Sequence, residues 1–416
     1  MNRISLMLAL GLALIAFSTV RAAEYVAHEW GTFTSVQGTD GVLLEWRPLA
    51  TSELPDFVYN RSNGAYQSAR HKVFAKNELA ATQRMETPVL YFYPTEEMTV
   101  DVSVKFPQGE ITEWYPMVRD FGPDDGDEPI QLTDGYLNWG KIRLFPATLY
   151  PEFAKDIPTA KSGANYFAAR ETDSAYVRVG MTRGPARYEH EKFLFYRGVG
   201  SFKAPLEVQG GGDHGINVIN HDAAAIPAFF VLNVGEKTAS FISGGTLAPD
   251  ALKNVPAGNP QATTTPEETA DALGAAVHAA LLKQGLYDKE ASAMVQTWRE
   301  SWFLEKGTRI LYILPDSWTE RTLPLTLAPA PKELKRVMVG RAELITPQME
   351  KQVAQQIAAL SSTDFHVREK ATKTLAGLGR FAEPSLKRVI DSAVVDDAEV
   401  KSRAKKLIGE LHAGAK

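Results

Sequence analysis

The segment His28-Glu29-Trp30-Gly31-Thr32-Phe33-Thr34 sets an imidazole beside a carboxylate, and a second such pairing follows in Gly210-Gly211-Gly212-Asp213-His214-Gly215 and His221-Asp222. Imidazole and carboxylate groups are the usual ligands of zinc and related divalent ions, and a neighbouring carboxylate can orient a ligating ring. His28, Asp213, His214 and His221 therefore form a candidate metal set for zinc or another divalent ion. Glu29 or Glu86 would then act as general base on a metal-bound water. The spacing is loose, since the chain has no His-Glu-x-x-His motif and seven residues separate His214 from His221. On a strand, moreover, His28 and Glu29 point to opposite faces and can serve one ion only across a bulge. The competing account makes His28 a hydrogen-bonded histidine in a buried strand and the Gly-rich stretch a polar turn with two surface histidines.

Residues 120–134 (DFGPDDGDEPIQLTD) concentrate oxygen ligands of the kind calcium takes, with Asp124, Asp125 and Asp127 at the centre. Pro129 and Tyr136 stand where the fifth and twelfth ligands of an EF-hand belong, so a solvated acidic loop is the simpler account. The seven tryptophans, at 30, 46, 114, 139, 298, 302 and 318, all precede residue 346. If exposed on a sheet they could stack on sugar rings, which gives a glycan-binding reading. Trp298 and Trp302, four apart on a helical segment, are explained by core packing instead. The sequence holds no Gly-x-Ser-x-Gly elbow, no Walker loop and no cysteine. Thiol chemistry and disulfides are thereby excluded, and so is the acylated cysteine of a lipoprotein.

These residues must be positioned by a chain that reads mostly as strands. Residues 99–106 alternate, with Val100, Val102, Val104 and Phe106 on one face and Thr99, Asp101, Ser103 and Lys105 on the other. That is the pattern of a half-buried antiparallel strand. Short β-branched and aromatic runs at 89–93, 193–196, 228–234 and 310–314 suit buried strands. One helical pair interrupts them, over about 265–304. Thr265, Pro266 and Glu268 make a capping box with proline at the first helical position, and Gly285 closes the first helix. A second helix is expected over about 289–304.

From Thr346-Pro347 onward the period is helical, and an internal repeat appears. Val367, Ala371, Leu375 and Leu378 recur 33 residues later as Val400, Ala404, Ile408 and Leu411, while Asp364 maps onto Asp397. The content resembles HEAT-like repeats, with helices expected at 347–360, 365–378, 384–393 and 398–411. Two pairs fall short of the three or more repeats that sustain a free solenoid, so the tail should pack on the body or close as a four-helix unit.

Residues 1–22 have the layout of a cleavable secretory signal: Arg3, an apolar run over 6–17, and Val20 and Ala22 at the −3 and −1 positions. Without that segment the chain carries 43 basic and 50 acidic residues. Residues 332–416 hold 16 Lys/Arg against 11 Asp/Glu, which leaves 27 basic against 39 acidic residues over 23–331. So acidic a body is a poor binder of nucleic acid, whose affinity rests on phosphate contacts.

His28-Glu29-Trp30-Gly31-Thr32-Phe33-Thr34-Ser35, Met85-Glu86-Thr87-Pro88-Val89-Leu90-Tyr91-Phe92-Tyr93 and Glu191-Lys192-Phe193-Leu194-Phe195-Tyr196-Arg197-Gly198 resemble motifs of a group of exported bacterial proteins that often carry HEAT-like tails. Residues 298–315 and 337–347 resemble the same group. The resemblance implies secretion and a modular layout, and brings no activity with it.

The expected protein thus has a mixed, β-rich fold. A signal peptide (1–22) precedes an antiparallel, sandwich-like main domain (23–345) with one inserted helical pair, and a HEAT-like helical domain (346–416) follows. Three functions are compatible with it: an exported binding or scaffolding protein with a protein partner at its tail, a metal-dependent hydrolase, or a glycan-binding protein. Periplasmic or extracellular residence is expected, with no membrane span in the mature chain. Expression with the leader should give a mature chain beginning at Ala23 by intact mass, and a bulky residue at the cleavage site, as in Ala22→Trp, should leave residues 1–22 attached.

Overall fold

The computed structural model describes residues 24–49, 54–61, 79–123, 131–160, 164–180, 187–210, 215–256, 264–392 and 397–413. Residues 1–22, expected as a signal peptide, and Asp124, Asp125, Asp127, Asp213 and His214 lie outside the described residues. Within them the chain is β-rich with helices, and no helix is long and apolar enough to cross a membrane.

At the centre, the first strand, Tyr25–Gln37, pairs in parallel with the last, Glu333–Leu344, from Val26 opposite Glu333 to Gln37 opposite Leu344. The neighbouring strands Gln83–Pro94 and Gly307–Ile313 join them antiparallel, as do the pairs farther out in a nine-stranded sheet. An antiparallel sheet was expected, and it holds everywhere except at this centre. A parallel pair needs a long crossover, here most of the body, and no local pattern announces it. Both central strands are covered on both faces, so Tyr25–Gln37 is buried almost throughout rather than alternately.

One face of the large sheet carries Ala27, Phe33, Leu90, Phe92 and Tyr196. It packs against a three-stranded sheet, through Val208 and Val218, and a six-stranded one, through Val100, Val104 and Ile142. In the strand Met98–Phe106 the four expected inward residues are fully buried, while Thr99 and Lys105 are exposed. The other face, with Trp30, Val89, Tyr91, Phe193 and Val339, packs against the helical pair Pro266–Lys283 and Asp288–Arg299 through Leu273, Val277, Met294 and Trp302. Thr265 caps the first helix, accepting from the Glu268 N–H at 3.2 Å while the Thr265 N–H donates to the Glu268 carboxylate at 3.1 Å. Gly285, at φ 98°, takes the left-handed conformation just past its end.

Four helices follow the body: Pro347–Ala359, Phe365–Leu378, Glu383–Asp391 and Ala398–Ala413. They share a core of their own in which Ala371 and Leu375 meet Ala404 and Ile408. The repeat-related Asp364 and Asp397 each cap a helix, accepting from His366 N–H at 2.7 Å and from Glu399 N–H at 3.0 Å. The repeat departs at one position, since Val367 is 41% exposed and its counterpart Val400 only 5%. A small cluster of Val36, Trp46, Ile345 and Phe381 joins tail to body. Arg47–Glu383 at 3.1 Å and Lys387–Glu45 at 2.8 Å flank that seam.

Gly31 sits where a neighbouring strand comes close to the first. The register of Tyr25–Gln37 against Gln83–Pro94 shifts between Trp30 and Thr32, opposite Thr87, whose φ is 43°. A Cβ on Gly31 would stand 2.9 Å from the Pro88 backbone and 3.0 Å from Met338 Sδ. Gly31→Ala should therefore lower stability by about 1–3 kcal/mol in urea denaturation, the range for forcing an added methyl into a packed site.

Candidate functional site

On the helical side of the large sheet, the strands change character along their length. Trp30, Val89, Phe195 and Val337 lie under the helical pair. Farther along the same strands stand Thr34, Glu86, Arg197 and Arg341, with Arg84 beside Glu86 and Glu343 beside Arg341. All six are buried. Burying so many charges is tolerated only where each finds a partner.

The partners form three sets. Arg84 Nη2 lies 2.9 Å from Glu86 Oε1 as an ion pair, and Thr34 Oγ1 donates to Glu86 Oε2 at 3.1 Å. Arg197 grips Glu113 through Nη2 at 2.6 Å and Nε at 3.1 Å. The third set is larger. Arg341 reaches Glu343 at 2.5 Å and Glu305 at 2.6 Å. Arg380, from the tail, lies 2.9 Å from Glu305 and 3.2 Å from Glu343. Arg309 Nε lies 3.1 Å from Glu343, out of line for a hydrogen bond. The Arg309 guanidinium instead donates to the carbonyls of Trp302 at 2.9 Å and Lys306 at 3.1 Å. The helix widens to a π-turn at Glu300–Leu304, where an arginine can take up a carbonyl that the turn leaves short of partners.

Electrostatics follow from these contacts. Burial by itself would raise Glu343, but Arg309, Arg341 and Arg380 outweigh it and hold the carboxyl down at about 2. Arg380 and Arg341 likewise overcome burial at Glu305 and keep its pKa below the ordinary value. Arg84 behaves differently. Burial pushes its guanidinium down to about 10, against the pull of Glu86 and with Arg197 and Arg380 adding to the depression.

This charged end of the sheet floors a cavity of about 1530 Å³. Arg84, Glu86, Arg197 and Arg341 border it from the sheet, and Thr297, Trp298, Ser301 and Glu305 from the end of the helical pair. Met349, Gln352, Gly377, Arg380 and Phe381 close it from the tail. The volume exceeds the few hundred to about 1,000 Å³ of ordinary small-molecule pockets.

Of the residues the sequence marked for chemistry, Glu86 alone borders this cavity among those described. His28 is buried beneath the helical pair, its Nδ1 2.7 Å from Glu290, whose other oxygen accepts from Tyr93 Oη at 2.6 Å. Glu29 faces the opposite side, accepting from Arg336 Nε at 2.6 Å and Tyr196 Oη at 2.7 Å. His221 is 53% exposed in its side chain and pairs with Glu207 at 2.7 Å, next to the three-stranded sheet. That sheet covers the face of the large sheet opposite His28, so His28 and His221 do not meet at one ion. Glu86 is no closer to His28, standing five residues along its strand from Tyr91, the residue paired with His28, roughly 16 Å at the rise of a strand. Among the described residues no group of three or more His, Cys, Asp or Glu side chains is arranged to hold a metal ion. All seven tryptophans are buried, and only Trp46 and Trp298 border the cavity.

No protein-family model and no curated protein matches the sequence. Among solved structures, the Fcho1 mu homology domain of Danio rerio with a bound Eps15 peptide is similar at 8% identity and a TM-score of 0.29, over 77% of this chain and 97% of that one. The yeast delta-COP mu homology domain complexed with a Dsl1 WxWxV peptide is similar at 6% identity and a TM-score of 0.26, over 77% and 96%. Superposition that poor carries no argument about fold or ligand.

Removing Glu343 leaves Arg309 and Arg341 buried without their shared counter-charge, so Glu343→Gln should cost about 3–5 kcal/mol at pH 7. Because the folded-state pKa of Glu343 is depressed, its contribution is complete above the unfolded value near 4.5 and is lost as pH falls toward 2. The stability gap between wild type and Glu343→Gln in urea titrations should therefore narrow over that window.

Proposed function

We propose that this chain is an exported binding protein that takes a small-molecule ligand in the cavity between the charged end of the central sheet, the helical pair and the tail. The observation that carries this reading is the cavity itself, about 1530 Å³ bordered by three separate structural units. A sheet, a helix end and a tail that merely packed together would fill such a space with side chains, because protein interiors are close-packed. Export is supported by the leader-like segment 1–22 and by the resemblance of the His28–Ser35, Met85–Tyr93 and Glu191–Gly198 motifs to exported bacterial proteins.

The tail belongs to this reading as a HEAT-like module. The 33-residue repeat supports it, as do the matched caps Asp364 and Asp397 and the two helix pairs on either side of residue 381. In the proposal the tail closes the cavity, with Arg380 and Phe381 as its inner contacts, and leaves its outer face, including Phe365 and Val367, to a protein partner.

Gly377 supplies the test. It sits on the tail side of the cavity, and a Cβ there meets nothing within 4 Å. Gly377→Trp should fill the cavity without straining the helix, where any residue but proline is favoured over glycine. Wild-type protein purified from its envelope fraction, denatured and extracted, should release a small molecule detectable by mass spectrometry. Gly377→Trp should release at least about tenfold less at an unchanged or raised melting temperature. Equal recovery of the same molecule from both proteins would place the ligand elsewhere and sink the proposal.

A further inference from the structure

The third set of charges in the cavity floor does not balance. Among the described residues, Arg309, Arg341 and Arg380 gather around only two carboxylates, Glu305 and Glu343. The other guanidiniums at the cavity each have a carboxylate partner: Arg84 has Glu86, Arg197 has Glu113 and Arg47 has Glu383. One positive charge is in excess in a partly buried site, within a main domain that is otherwise strongly acidic. Three guanidiniums sharing two carboxylates favour an anion placed beside them, because it would complete the balance of charge.

Hydrogen bonding points the same way. Arg84 Nε and Arg380 Nε, on two side chains that border the cavity, have no partner. Arg84 is only 8% exposed. Trp46 Nε1, Trp298 Nε1 and Thr297 Oγ1, also on bordering residues, are unpartnered as well. Apart from hydroxyls, which can act either way, the unmet groups on the bordering side chains are donors, while Glu343 Oε2, in the charged set beneath them, is an unmet acceptor. Part of the remaining wall is apolar, with Val234 and Phe241 from the sheet and Met349 and Phe381 from the tail, beside polar residues such as Asn233, Ser240 and Gln352.

We infer that the cavity takes an amphipathic organic anion, a carboxylate or phosphate group on an apolar body, with Arg84 and Arg380 flanking the anionic group and the apolar wall covering the rest. This inference rests on the cavity-binding reading above and adds the class of ligand to it. Guanidinium suits either anion, since its planar fork of donors matches carboxylate and phosphate oxygens alike. Because Arg380 comes from the tail and Arg84 from the sheet, the ligand would bridge the two units.

Calorimetric titration of the mature protein with decanoate, decyl phosphate, inorganic phosphate, decanol and decyltrimethylammonium tests the inference. Decanoate or decyl phosphate should bind at least about tenfold more tightly than decanol, the cationic amphiphile and inorganic phosphate, and whichever of the two binds more tightly identifies the anionic group. Arg380→Gln should weaken the anion at least about tenfold and leave decanol unchanged, and Arg380→Lys should restore part of the loss. Arg84→Gln should act in the same direction if its melting curve shows it folded, and the Arg380 pair decides the matter if it is not. Decanol or the cation binding as tightly as decanoate, or Arg380→Gln binding it as wild type does, would overturn the anionic class while leaving a cavity binder. Inorganic phosphate binding as tightly as decyl phosphate would overturn the apolar body. If no amphiphile binds and Gly377→Trp changes nothing, the cavity-binding reading falls with it.

Discussion

Twelve consecutive residues of the first strand lie in parallel register with the last strand of the main domain, and the rest of the molecule is arranged around that pairing. It places two chain segments some 300 residues apart side by side, with sheet on one face and helices on the other. A strand covered on both sides must satisfy every polar side chain it carries. Glu29 therefore meets Arg336 across the same pair on the sandwich side, and His28 meets Glu290 on the helical side. The same constraint operates where the helical layer ends. There Arg341 and Glu343 pair with each other and draw in Arg309, Glu305 and, from the tail, Arg380.

That last connection gives the tail a role beyond adding a second unit. Its helices have their own apolar core, but Arg380 and Phe381 reach the body at the edge of the cavity. Apolar contact at the Trp46–Phe381 cluster and ion pairing at Glu305 and Glu343 act over the same few residues. The position of the tail and the electrostatics of the cavity are therefore coupled. A guanidinium withdrawn with the tail would leave Glu305 and Glu343 sharing two arginines instead of three.

Much of the fold was legible locally. The alternation over 99–106, the capping box at Thr265, the stop at Gly285 and the tail helices all appear where residue patterns place them, because each depends on contacts within a few residues. The 33-residue repeat was visible for the same reason, although Val367 breaks it by facing solvent where Val400 is buried. Of the candidate site residues, Glu86 borders the cavity, while His28, Glu29 and His221 each have a partner elsewhere. The arginines that border it carried a weak signal, charges interrupting apolar strands at Arg84, Arg197 and Arg341, which by itself does not distinguish a site from a solvated edge.

The sequence by itself determined the strand-rich composition of the body, the helical pair, the four tail helices and the opposite orientation of His28 and Glu29, since these follow from side-chain periodicity and short-range capping. Tertiary structure alone decided that the first strand pairs in parallel with the last, that His28 and His221 fall on opposite sides of the sheet, and that five arginines from distant segments border one cavity. The reason is physical: register between strands hundreds of residues apart, and the partner each buried charge finds, are set by how whole layers pack, and no local pattern encodes them.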